Sequence, residues 1–247
     1  MGKEKDLGID GIYVVHALKG YEYHESRLKD VFGEYGFDFS FVTDGDPTLW
    51  SDDVISAYFS SDIKAILSGG VLSCTLNHIY CYEKMIRNND RFALVFENDP
   101  FFLGNFSEEI VPIVKEAEKL KEGFIISLEI TTFKFPPRKD VQKNKLVYPA
   151  NYGRCAGAYL IDQTAARNIL ADLKTNKCSQ VIDWWHNTLI DNNVVKMYWA
   201  HPPIVEQGSH NGKMHSTISS KTKGLGRKIK WEIQKFYKMR VLYYLRG

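Results

Sequence analysis

The chain has 247 residues, a net charge of +2, 44% hydrophobic residues and 13% aromatic residues. This length suits one large α/β domain, and the apolar and aromatic content excludes an intrinsically disordered chain. No stretch of about 18 apolar residues occurs, so no membrane-spanning helix is expected. Residues 1–10 contain no apolar signal segment, and Asp6 stands where a myristoylation signal needs Ser or Thr, so we expect a cytoplasmic protein. The four cysteines have neither metal-site nor disulfide spacing and are expected to be reduced, mostly buried thiols.

Charge is distributed unevenly along the chain. Residues 221–247 contain nine Lys and Arg residues and one acid, Glu232, a net charge of +8 that leaves −6 for residues 1–220. An acidic body followed by a basic, aromatic tail indicates attraction to an anionic surface. We therefore expect one α/β domain over residues 1–220 and a basic amphipathic helix or tail over residues 221–247.

The N-terminal part of the chain predicts a strand, a helix and a second strand. The β-branched run "GIYVVHAL" predicts the first strand, and the spacing of Leu28, Val31 and Phe32 predicts a helix that is stopped by Gly33 and Gly36. The alternation in "FDFSFVTDGDP" predicts the second strand. Three such elements within about 40 residues predict a βαβ unit, whose parallel sheet is covered by helices.

The middle of the chain predicts the longest helix, followed by buried strands. "SGGVLSCTLNHIYCYEKMIRNND" has apolar residues close to the helical period. The strands "RFALVF" and "GFIISLEI" come next, separated by a helix in "SEEIVPIVKEAEKL" that Ser107 is expected to cap. The sequence therefore continues the alternation of strands and helices.

Two further segments complete this pattern. The proline-bearing stretch "FKFPPRKDVQKNK" has no periodicity and predicts a long surface loop. "GRCAGAYLIDQTAARNILADL" predicts a small-residue strand and then a helix that starts near Asp162 or Gln163. Internal repeats are absent from the sequence.

The strand "RFALVF" ends in Glu97, Asn98 and Asp99, where an apolar run meets two carboxylates and an amide. Ligands of open parallel sheets bind at the carboxyl ends of strands. Because alternate residues of an extended chain point to the same side, Glu97 and Asp99 are predicted to converge on one divalent cation while Asn98 faces away. Hard oxygen ligands suit Mg²⁺ or Mn²⁺, which commonly bridge carboxylates to a diphosphate. The alternative is an exposed strand end or helix cap without a ligand.

The order of the pieces around this strand resembles that of a known family. The stretches concerned are "IYVVHALKGYEYHESRLKDVF", "LSCTLNHIYCYEKM" before "FALVFENDP", "GAYLIDQTAARNIL", and "IDWW" followed by "AHPPIVEQGSH". Over roughly residues 11–218 the chain resembles the family 25 glycosyltransferases, which include lipopolysaccharide and collagen galactosyltransferases. Where the family typically has a Ser-His pair and a strand ending in Glu-Asp-Asp, this chain has Asn77-His78 and Glu97-Asn98-Asp99.

The resemblance implies a GT-A type, Rossmann-like α/β fold with a mixed, mostly parallel sheet flanked by helices. It also implies a UDP-sugar donor and a divalent metal, Mn²⁺ or Mg²⁺, at a DxD-like motif. Carried over by position, Asp99 is the main metal ligand, and Glu97 holds the ribose or a metal-bound water. The cation then stabilises the negative charge that builds on the leaving nucleoside diphosphate.

An inverting reaction, as the resemblance implies, needs a carboxylate that takes the proton of the acceptor hydroxyl. Asp183 in "VIDWWH" is the first candidate, since it stands beside two tryptophans and sugar rings often stack on such rings. Glu129, at the end of the strand "GFIISLE", is the second candidate. The alternative role of Asp183 is to cap the following helix, and one residue can fill both roles.

Three histidines are further candidates. His78 lies in the long predicted helix, where it is either a buried structural residue or a contact for phosphate or acceptor. His210 and His215 lie in a polar segment where some GT-A enzymes supply another metal ligand. Each is a candidate for that role, against the alternative of a solvated loop histidine.

The donor side receives the remaining candidates. Gln207 and Glu206 match a family stretch and are expected to line it. Arg27 matches a family arginine that balances phosphate charge, with a surface salt bridge as the alternative role. Thr43 and Asp44 end the second strand on the binding edge and are candidates for contacting the nucleoside.

The C-terminal tail has an amphipathic pattern. Ile229, Ile233, Phe236, Tyr237 and other apolar residues recur at helical spacing, while most of the lysines lie off that stripe. Such a helix can lie in the headgroup layer of an anionic membrane, and the alternative is that it packs on the body. No nucleic-acid recognition motif accompanies the charge, so nucleic acid is not an expected partner.

We therefore predict a metal-dependent, inverting glycosyltransferase that moves galactose from its UDP form to a growing surface glycan such as lipopolysaccharide or lipooligosaccharide. The sugar identity comes from the resemblance. Two alternatives stay open, since fold does not fix function: a nucleotidyltransferase that uses the same acidic strand edge, and a non-catalytic protein that binds nucleotide sugars or glycans.

Overall fold

The computed structural model describes residues 7–214 and 225–245, in which strands and helices alternate along the chain. The strands are β1 (Gly11–Val15), β2 (Ser40–Val42), β3 (Phe92–Glu97), β4 (Pro100–Phe102), β5 (Phe124–Ser127), β6 (Val147–Ala150), β7 (Ala158–Asp162), β8 (Lys196–Ala200) and β9 (Val205–Gln207). The helices are α1 (Glu22–Glu34), α2 (Asp52–Tyr58), α3 (Ile63–Ile66), α4 (Gly69–Asn88), α5 (Phe106–Ala117), α6 (Gln163–Asp172), α7 (Ile182–Asp191), α8 (Gly208–Asn211), α9 (Leu225–Phe236) and α10 (Tyr243–Leu245). A π-helical segment, Tyr237–Leu242, joins α9 to α10.

Seven strands form one sheet in the order β2-β1-β3-β7-β5-β8-β6. Strands β2, β1, β3, β5 and β8 run in one direction, while β7 and β6 run against them. Strands β4 and β9 form a separate antiparallel pair. This arrangement is the predicted mixed, mostly parallel sheet of a Rossmann-like GT-A fold, with the carboxyl ends of β1, β3 and β5 on one edge.

The predicted βαβ unit is formed by β1, α1 and β2, because β1 and β2 are parallel neighbours. Helix α1 packs on the sheet through Leu28 and Phe32, which are fully buried. Gly36 follows the helix in the left-handed region, with φ of +68°, which glycine adopts at little cost. Gly33 lies inside α1, so the prediction that it stops the helix is wrong.

The central strand β3 is apolar on both faces because helices cover both of them. Ala93 and Val95 pack into the core layer that contains α4, whereas Leu94 and Phe96 pack into the opposite layer with α1 and α5. Burial on both faces explains the uninterrupted apolar run of this strand. It also fixes the point at which the chain leaves the core, which is Glu97.

Helix boundaries agree with the sequence patterns in two cases and differ in one. Helix α4 occupies the longest predicted segment, and α6 begins at Gln163 with Asp162 as a side-chain cap. The predicted cap of α5 is wrong: Asn105 is the N-cap residue, and Ser107 lies inside the helix and donates a hydrogen bond to the Asn105 side chain at 2.9 Å. The predicted surface loop is exposed at Lys134 but buries Phe133.

The C-terminal helical run of α9, the π-helical segment and α10 packs on the body by one side. Trp231 is 6% exposed and packs against Phe133, with 4.5 Å between the ring centroids and 45° between the ring planes. Lys235 pairs with the buried Glu206. Within the predicted apolar stripe, Ile233 and Phe236 face outward and are each more than 60% exposed. Among the described helices, none combines the length and apolar character needed to cross a bilayer.

Candidate functional site

A cavity of about 250 Å³ opens where β1 and β3 end, beside the first turns of α4. We call it the strand-end cavity. Its polar lining comprises His16, Lys19, Tyr21, Asp46, Ser73, Cys74, Asn77, Glu97 and Asn98. The predicted ligand edge of the sheet therefore carries a concave, polar site of the kind that binds small molecules.

Glu97 lies between this cavity and a group of other acids. Its Oε2 accepts a hydrogen bond from Gln207 Nε2 at 3.0 Å, and its Oε1 lies 3.7 Å from His78 Nε2. Burial, followed by the charges of Asp99 and Asp183, raises the pKa of Glu97 to about 8. Since like charges disfavour ionisation, full ionisation of this group of acids needs a nearby positive charge.

Asp99 is almost fully buried, at 4% exposure, and is held by the start of α8. Its Oδ2 accepts a hydrogen bond from the backbone N–H of Ser209 at 2.7 Å, and its carbonyl accepts one from Gly208 at 2.8 Å. Its Oδ1 has no hydrogen-bond partner among the described residues. A buried carboxylate oxygen is costly without a partner, so this atom suits a hard cation such as Mg²⁺ or Mn²⁺.

A second set of potential metal ligands overlaps the first. The ligand atoms of Cys74, His78 and Glu97 all lie within 4.8 Å of one another. Burial, followed by the charge of Glu97, raises the pKa of the Cys74 thiol well above its ordinary value, so the thiol stays protonated at neutral pH. A thiol binds metal only as the thiolate, and the carboxylates of Glu97 and Asp99 therefore fit a divalent cation better than this mixed set does.

Asp183 lies in the first turn of α7 and is partly exposed, whereas Val181 is the N-cap residue. Burial is the main cause that raises its pKa, and hydrogen bonds from the backbone N–H groups of Trp184 and Asp183, followed by the charge of His78, oppose that shift. Trp184 beside it is 67% exposed and offers a flat apolar surface, while Trp185 is buried. Asp183 is thus not the N-cap residue, although its carboxylate bonds to backbone N–H groups of the first turn, and its partial exposure leaves it accessible to a ligand.

Glu129 is fully buried, and both of its carboxyl oxygens have partners. Oε1 accepts a hydrogen bond from the Gly157 N–H at 3.1 Å, and Oε2 lies 2.6 Å from Thr131 Oγ1. Burial is the largest cause that raises the pKa of Glu129 to about 8, with the charge of Glu97 adding to it. Glu129 is therefore less accessible than Asp183 as a base. We refer to Glu97, Asp99, Glu129 and Asp183 as the carboxylate cluster.

A chain of hydrogen bonds connects Glu129 to Glu97. Thr131 Oγ1 also lies 3.0 Å from Gln207 Oε1, and the Gln207 amide nitrogen donates to Glu97. The Thr131 hydroxyl has one proton and can donate to only one of its two partners. A protonated Glu129 satisfies all of these contacts, because it donates to Thr131 while Thr131 donates to Gln207, in agreement with the raised pKa of Glu129.

His78 belongs to a buried polar network beneath the cavity. Its Nδ1 lies 2.8 Å from the Tyr159 hydroxyl, which bonds to the Tyr82 hydroxyl at 2.9 Å, and Tyr82 bonds to His186 Nε2 at 2.7 Å. Burial lowers the pKa of both histidines to about 3, so both are neutral at pH 7. Such burial favours the structural role for His78 over direct contact with phosphate.

The profile described as "Glycosyltransferase family 25 (LPS biosynthesis protein)" matches residues 13–184, which is more than half of the chain. This chain belongs to glycosyltransferase family 25. The match contains the whole carboxylate cluster and ends before Gln207 and His210. The predicted family is thereby confirmed, over a shorter range than the predicted residues 11–218.

Two curated proteins are similar to this family 25 chain. One, from Aedes aegypti, is named "Glycosyltransferase 25 family member" and is 22% identical over 224 residues, which is 83% of this chain and 36% of that protein. The other, from Haemophilus influenzae, is named "Putative glycosyltransferase" and is 25% identical over 189 residues, which is 70% of this chain and 64% of that protein. The chain thus spans about a third of the length of the first protein and just under two thirds of the length of the second.

Several predicted donor-side residues lie away from the strand-end cavity of the family 25 chain. Asp44 is exposed and pairs with Lys84 of α4 at 3.2 Å, and Thr43 precedes it outside the cavity lining. The Arg27 guanidinium lies 4.1 Å from the centre of the Phe101 ring and donates to the Pro100 carbonyl. Arg27 therefore packs on β4, and it forms no ion pair within 4.0 Å among the described residues.

The adjacent residues Glu206 and Gln207 contact different parts of the structure. Gln207 joins the carboxylate cluster, whereas Glu206 is buried against Lys235 of α9 and accepts from Asn211 at 3.1 Å. His210 lies in α8, next to the residues that hold Asp99, and is partly exposed. His215 lies outside the described residues.

Sequence patterns missed part of the cavity lining. Lys19 is an exposed cation at the cavity, in the loop between β1 and α1, where its only signal was its position just after a strand. Asn77 accepts a hydrogen bond from the Gly45 N–H at 2.7 Å and donates to the His16 carbonyl at 3.1 Å. Asn77 therefore joins the loops that follow β1 and β2, a contact between residues far apart in sequence.

Proposed function

We propose that this chain transfers a sugar from a nucleotide-sugar donor to a glycan acceptor with the help of a divalent cation. The simplest donor is UDP-galactose, and the acceptor is a growing surface glycan such as lipopolysaccharide or lipooligosaccharide. One observation carries the proposal: in a family 25 chain, Glu97 lines a polar cavity and belongs to the carboxylate cluster, in which Asp99 has a buried oxygen without a partner among the described residues. A sugar diphosphate requires this combination of cation ligands and a concave site.

Asp99 Oδ1 and the Glu97 carboxylate are the proposed cation ligands, and His210 is a candidate for a further one. A bound Mn²⁺ or Mg²⁺ stabilises negative charge on the departing diphosphate. The Gln207 hydrogen bond orients Glu97, and the backbone N–H groups of Gly208 and Ser209 orient Asp99. Lys19 at the mouth of the cavity supplies a second positive charge for phosphate.

Asp183 is the proposed general base. Its carboxylate takes the proton of the acceptor hydroxyl while the hydroxyl oxygen forms the new bond to the anomeric carbon and the donor diphosphate leaves with the old bonding electrons. Partial burial raises its pKa, which makes the carboxylate a stronger base than an exposed aspartate. Trp184 gives the acceptor sugar a flat surface beside this base.

A thermal-shift experiment tests the donor and the cation together. A panel of nucleotide sugars is added to the full chain with Mn²⁺ and with chelator, because a bound donor stabilises the folded state. We expect UDP-galactose to raise the Tm only when Mn²⁺ is present, and Asp99→Asn to remove that shift. The matched variant Asp191→Asn, at the exposed end of α7, is expected to keep it.

Absence of a metal-dependent shift with any donor would contradict the proposed function. Product analysis then separates the alternatives, because a nucleotidyltransferase attaches the nucleotide to its acceptor rather than the sugar. A protein that only binds nucleotide sugars shows the thermal shift but no hydrolysis or transfer of the donor sugar.

We also propose that the outward face of the C-terminal helical run contacts an anionic membrane. Ile233 and Phe236 are 63% and 66% exposed there, in a tail of net charge +8. Each Lys or Arg near such a surface contributes about 1 kcal/mol of attraction. Vesicles with anionic lipid are expected to pellet the wild type but not Ile233→Ser/Phe236→Ser; equal pelleting of both, or none of the wild type, would contradict this contact.

A further inference from the structure

A second cavity lies between the 132–138 loop and the inward side of the C-terminal helical run. Its volume is about 460 Å³, larger than that of the strand-end cavity. We call it the aromatic-basic cleft. The side chains used in the argument are Phe133, Lys134, Arg138, Tyr152, Lys238 and Tyr243, all of which line it.

The cleft concentrates positive charge. Lys134, Arg138 and Lys238 line it, and within the described part of the chain no Asp or Glu does so. None of these three cations forms an ion pair with a carboxylate of residues 7–214 or 225–245. A concave site with one sign of charge attracts ions of the opposite sign.

Aromatic rings hold these cations in place. Lys134 Nζ lies 3.9 Å from the centre of the Tyr152 ring, and Lys238 Nζ lies 5.2 Å from that of Phe133. Such contacts position a cation without neutralising it, because the ring has no net charge. The ammonium groups keep their capacity to bind an anion.

Two partly exposed rings offer flat apolar surfaces to a ligand. Tyr152 and Tyr243 both line the cleft, and the apolar face of a sugar ring packs on such surfaces. A small inorganic anion would leave the rings unused, and a neutral sugar would leave the cations unused. An anionic saccharide uses both features.

The cleft lies close to the carboxylate cluster. Thr132, at its end, follows Thr131, which bonds to Glu129 and Gln207. The Cys155 thiol is within electrostatic range of both the carboxylate cluster and Lys134. Burial, followed by the charges of Glu129, Asp183 and Glu97, raises the pKa of this thiol, and the charge of Lys134 lowers it. Lys134 and Asp183 thus both lie within electrostatic range of the Cys155 thiol.

We propose that the aromatic-basic cleft binds a sugar unit carrying a phosphate or carboxylate group. On the proposed function, which this assignment extends, that unit belongs to the acceptor glycan and lies beyond the sugar that receives the transfer. The cations bind the anionic group and the rings bind the face of the sugar. The C-terminal helical run forms one wall of this site through Lys238 and Tyr243.

Titration of the full chain with defined probes tests the cleft. The probes are glucose 6-phosphate, glucuronic acid, glucose and inorganic phosphate, with binding followed by heteronuclear NMR. We expect the two anionic sugars to bind at least tenfold more tightly than glucose or phosphate and to shift signals from residues 132–138 and 238–243. The double variant Lys134→Gln/Arg138→Gln is expected to lose this binding at least tenfold, whereas Lys139→Gln, on the neighbouring exposed residue, keeps it.

Two outcomes would overturn the proposal: equal binding of glucose and glucose 6-phosphate, or anionic-sugar binding that the double variant leaves unchanged. Anionic vesicles form a separate arm. If they bind in a way that depends on Lys134 and Arg138 while the soluble sugars do not bind, the cleft takes a lipid headgroup and the proposal fails.

The donor experiment separates this proposal from the proposed function. The double variant is expected to keep the Mn²⁺-dependent shift of Tm with UDP-galactose, because Asp99 and Glu97 are unchanged. Loss of anionic-sugar binding alone supports the cleft. If no donor shifts the wild type but the cleft still binds anionic sugars, the cleft stands and the proposed transfer falls.

Discussion

The end of β3 and the C-terminal helical run both place polar groups against a hydrophobic core, but the two are held differently. At the strand end, Glu97 and Asp99 accept hydrogen bonds from Gln207, Gly208 and Ser209, and both faces of the strand are buried. The helical run is held by the buried Trp231, by the pair between Lys235 and Glu206, and by side-chain contacts near its surface such as that of Tyr243 with His201.

This difference indicates two levels of local stability in one chain. A strand with two covered faces opens only when much of the sheet unfolds, whereas a surface helix with few buried contacts can detach alone. The carboxylates are thus preorganised for chemistry. The wall of the aromatic-basic cleft is the less stable of the two regions.

The largest expected effect is on the transfer rate and comes from a substitution of Asp183, the accessible acid of the carboxylate cluster. Asp183→Asn is expected to lower the transfer rate by about 10²- to 10⁴-fold, the range for loss of a general base. Its donor-dependent shift of Tm should remain, since Asp183 is not a proposed cation ligand. Initial rates of sugar transfer measure this, with Asp191→Asn as the control; near-normal turnover would exclude Asp183 as the base.

The next largest effect is expected from a substitution of Trp231, which anchors the C-terminal helical run on the body. Trp231→Ala removes a buried indole and is expected to lower the free energy of local opening by up to about 3 kcal/mol. Hydrogen exchange should accelerate in residues 225–245 and stay nearly unchanged in β3. Phe236→Ala, at a residue 66% exposed, is the control and should change little. Equal acceleration in both regions would show that they open as one unit.

A substitution that crowds the carboxylate cluster is expected to lower the free energy of unfolding by a similar or smaller amount. A Cβ atom at Gly157 would lie 2.1 Å from Gln207 Nε2, in a buried side chain that already bonds to Glu97. Gly157→Ala is therefore expected to lower the free energy of unfolding by about 1–3 kcal/mol. Gly33→Ala in α1 meets no atom within 4 Å and should be neutral or stabilising. Chemical denaturation of both variants compares them, and equal stability would show that Gln207 moves freely.

The smallest expected effect is a pH dependence from Glu97. Its pKa is raised from 4.5 to about 8, so the folded chain holds a proton that the unfolded chain has released, and stability falls as the pH rises toward 8. Below about pH 6.5 the lowered pKa values of His78 and His186 act in the opposite direction, so the test belongs between pH 6.5 and 8.

In the presence of chelator, the Tm of the wild type is expected to fall as the pH rises from 6.5 to 8. The Tm of Glu97→Gln should fall less over that range, whereas that of the exposed control Glu34→Gln should fall as much as in the wild type. An unchanged slope in Glu97→Gln would mean that another group, such as Glu129, causes the dependence. In that case the protons of the cluster are held by Glu129 rather than shared with Glu97.

Predictions from sequence succeeded where the pattern was local and long. The apolar runs of β1 and β3 and the periodic helices α1, α4 and α6 follow from side-chain spacing alone. The position of α5 was also predicted, but its cap residue was not, because Asn105 and Ser107 are both good cap residues and only the path of the chain chooses between them. The metal and base assignments, including His210 and Asp183, stay predictions.

The sequence by itself determined that β3 is buried, that it ends in acids, that the tail is basic and that the chain resembles family 25, because each of these properties depends on neighbouring residues or on linear motifs. Only the tertiary structure decided which distant groups meet the acids. Gln207 reaches Glu97 across 110 positions at 3.0 Å, and Trp231 turns inward while Ile233 and Phe236 of the apolar stripe face outward. Hydrogen bonds and burial depend on distances in space, and spacing along the chain does not specify them.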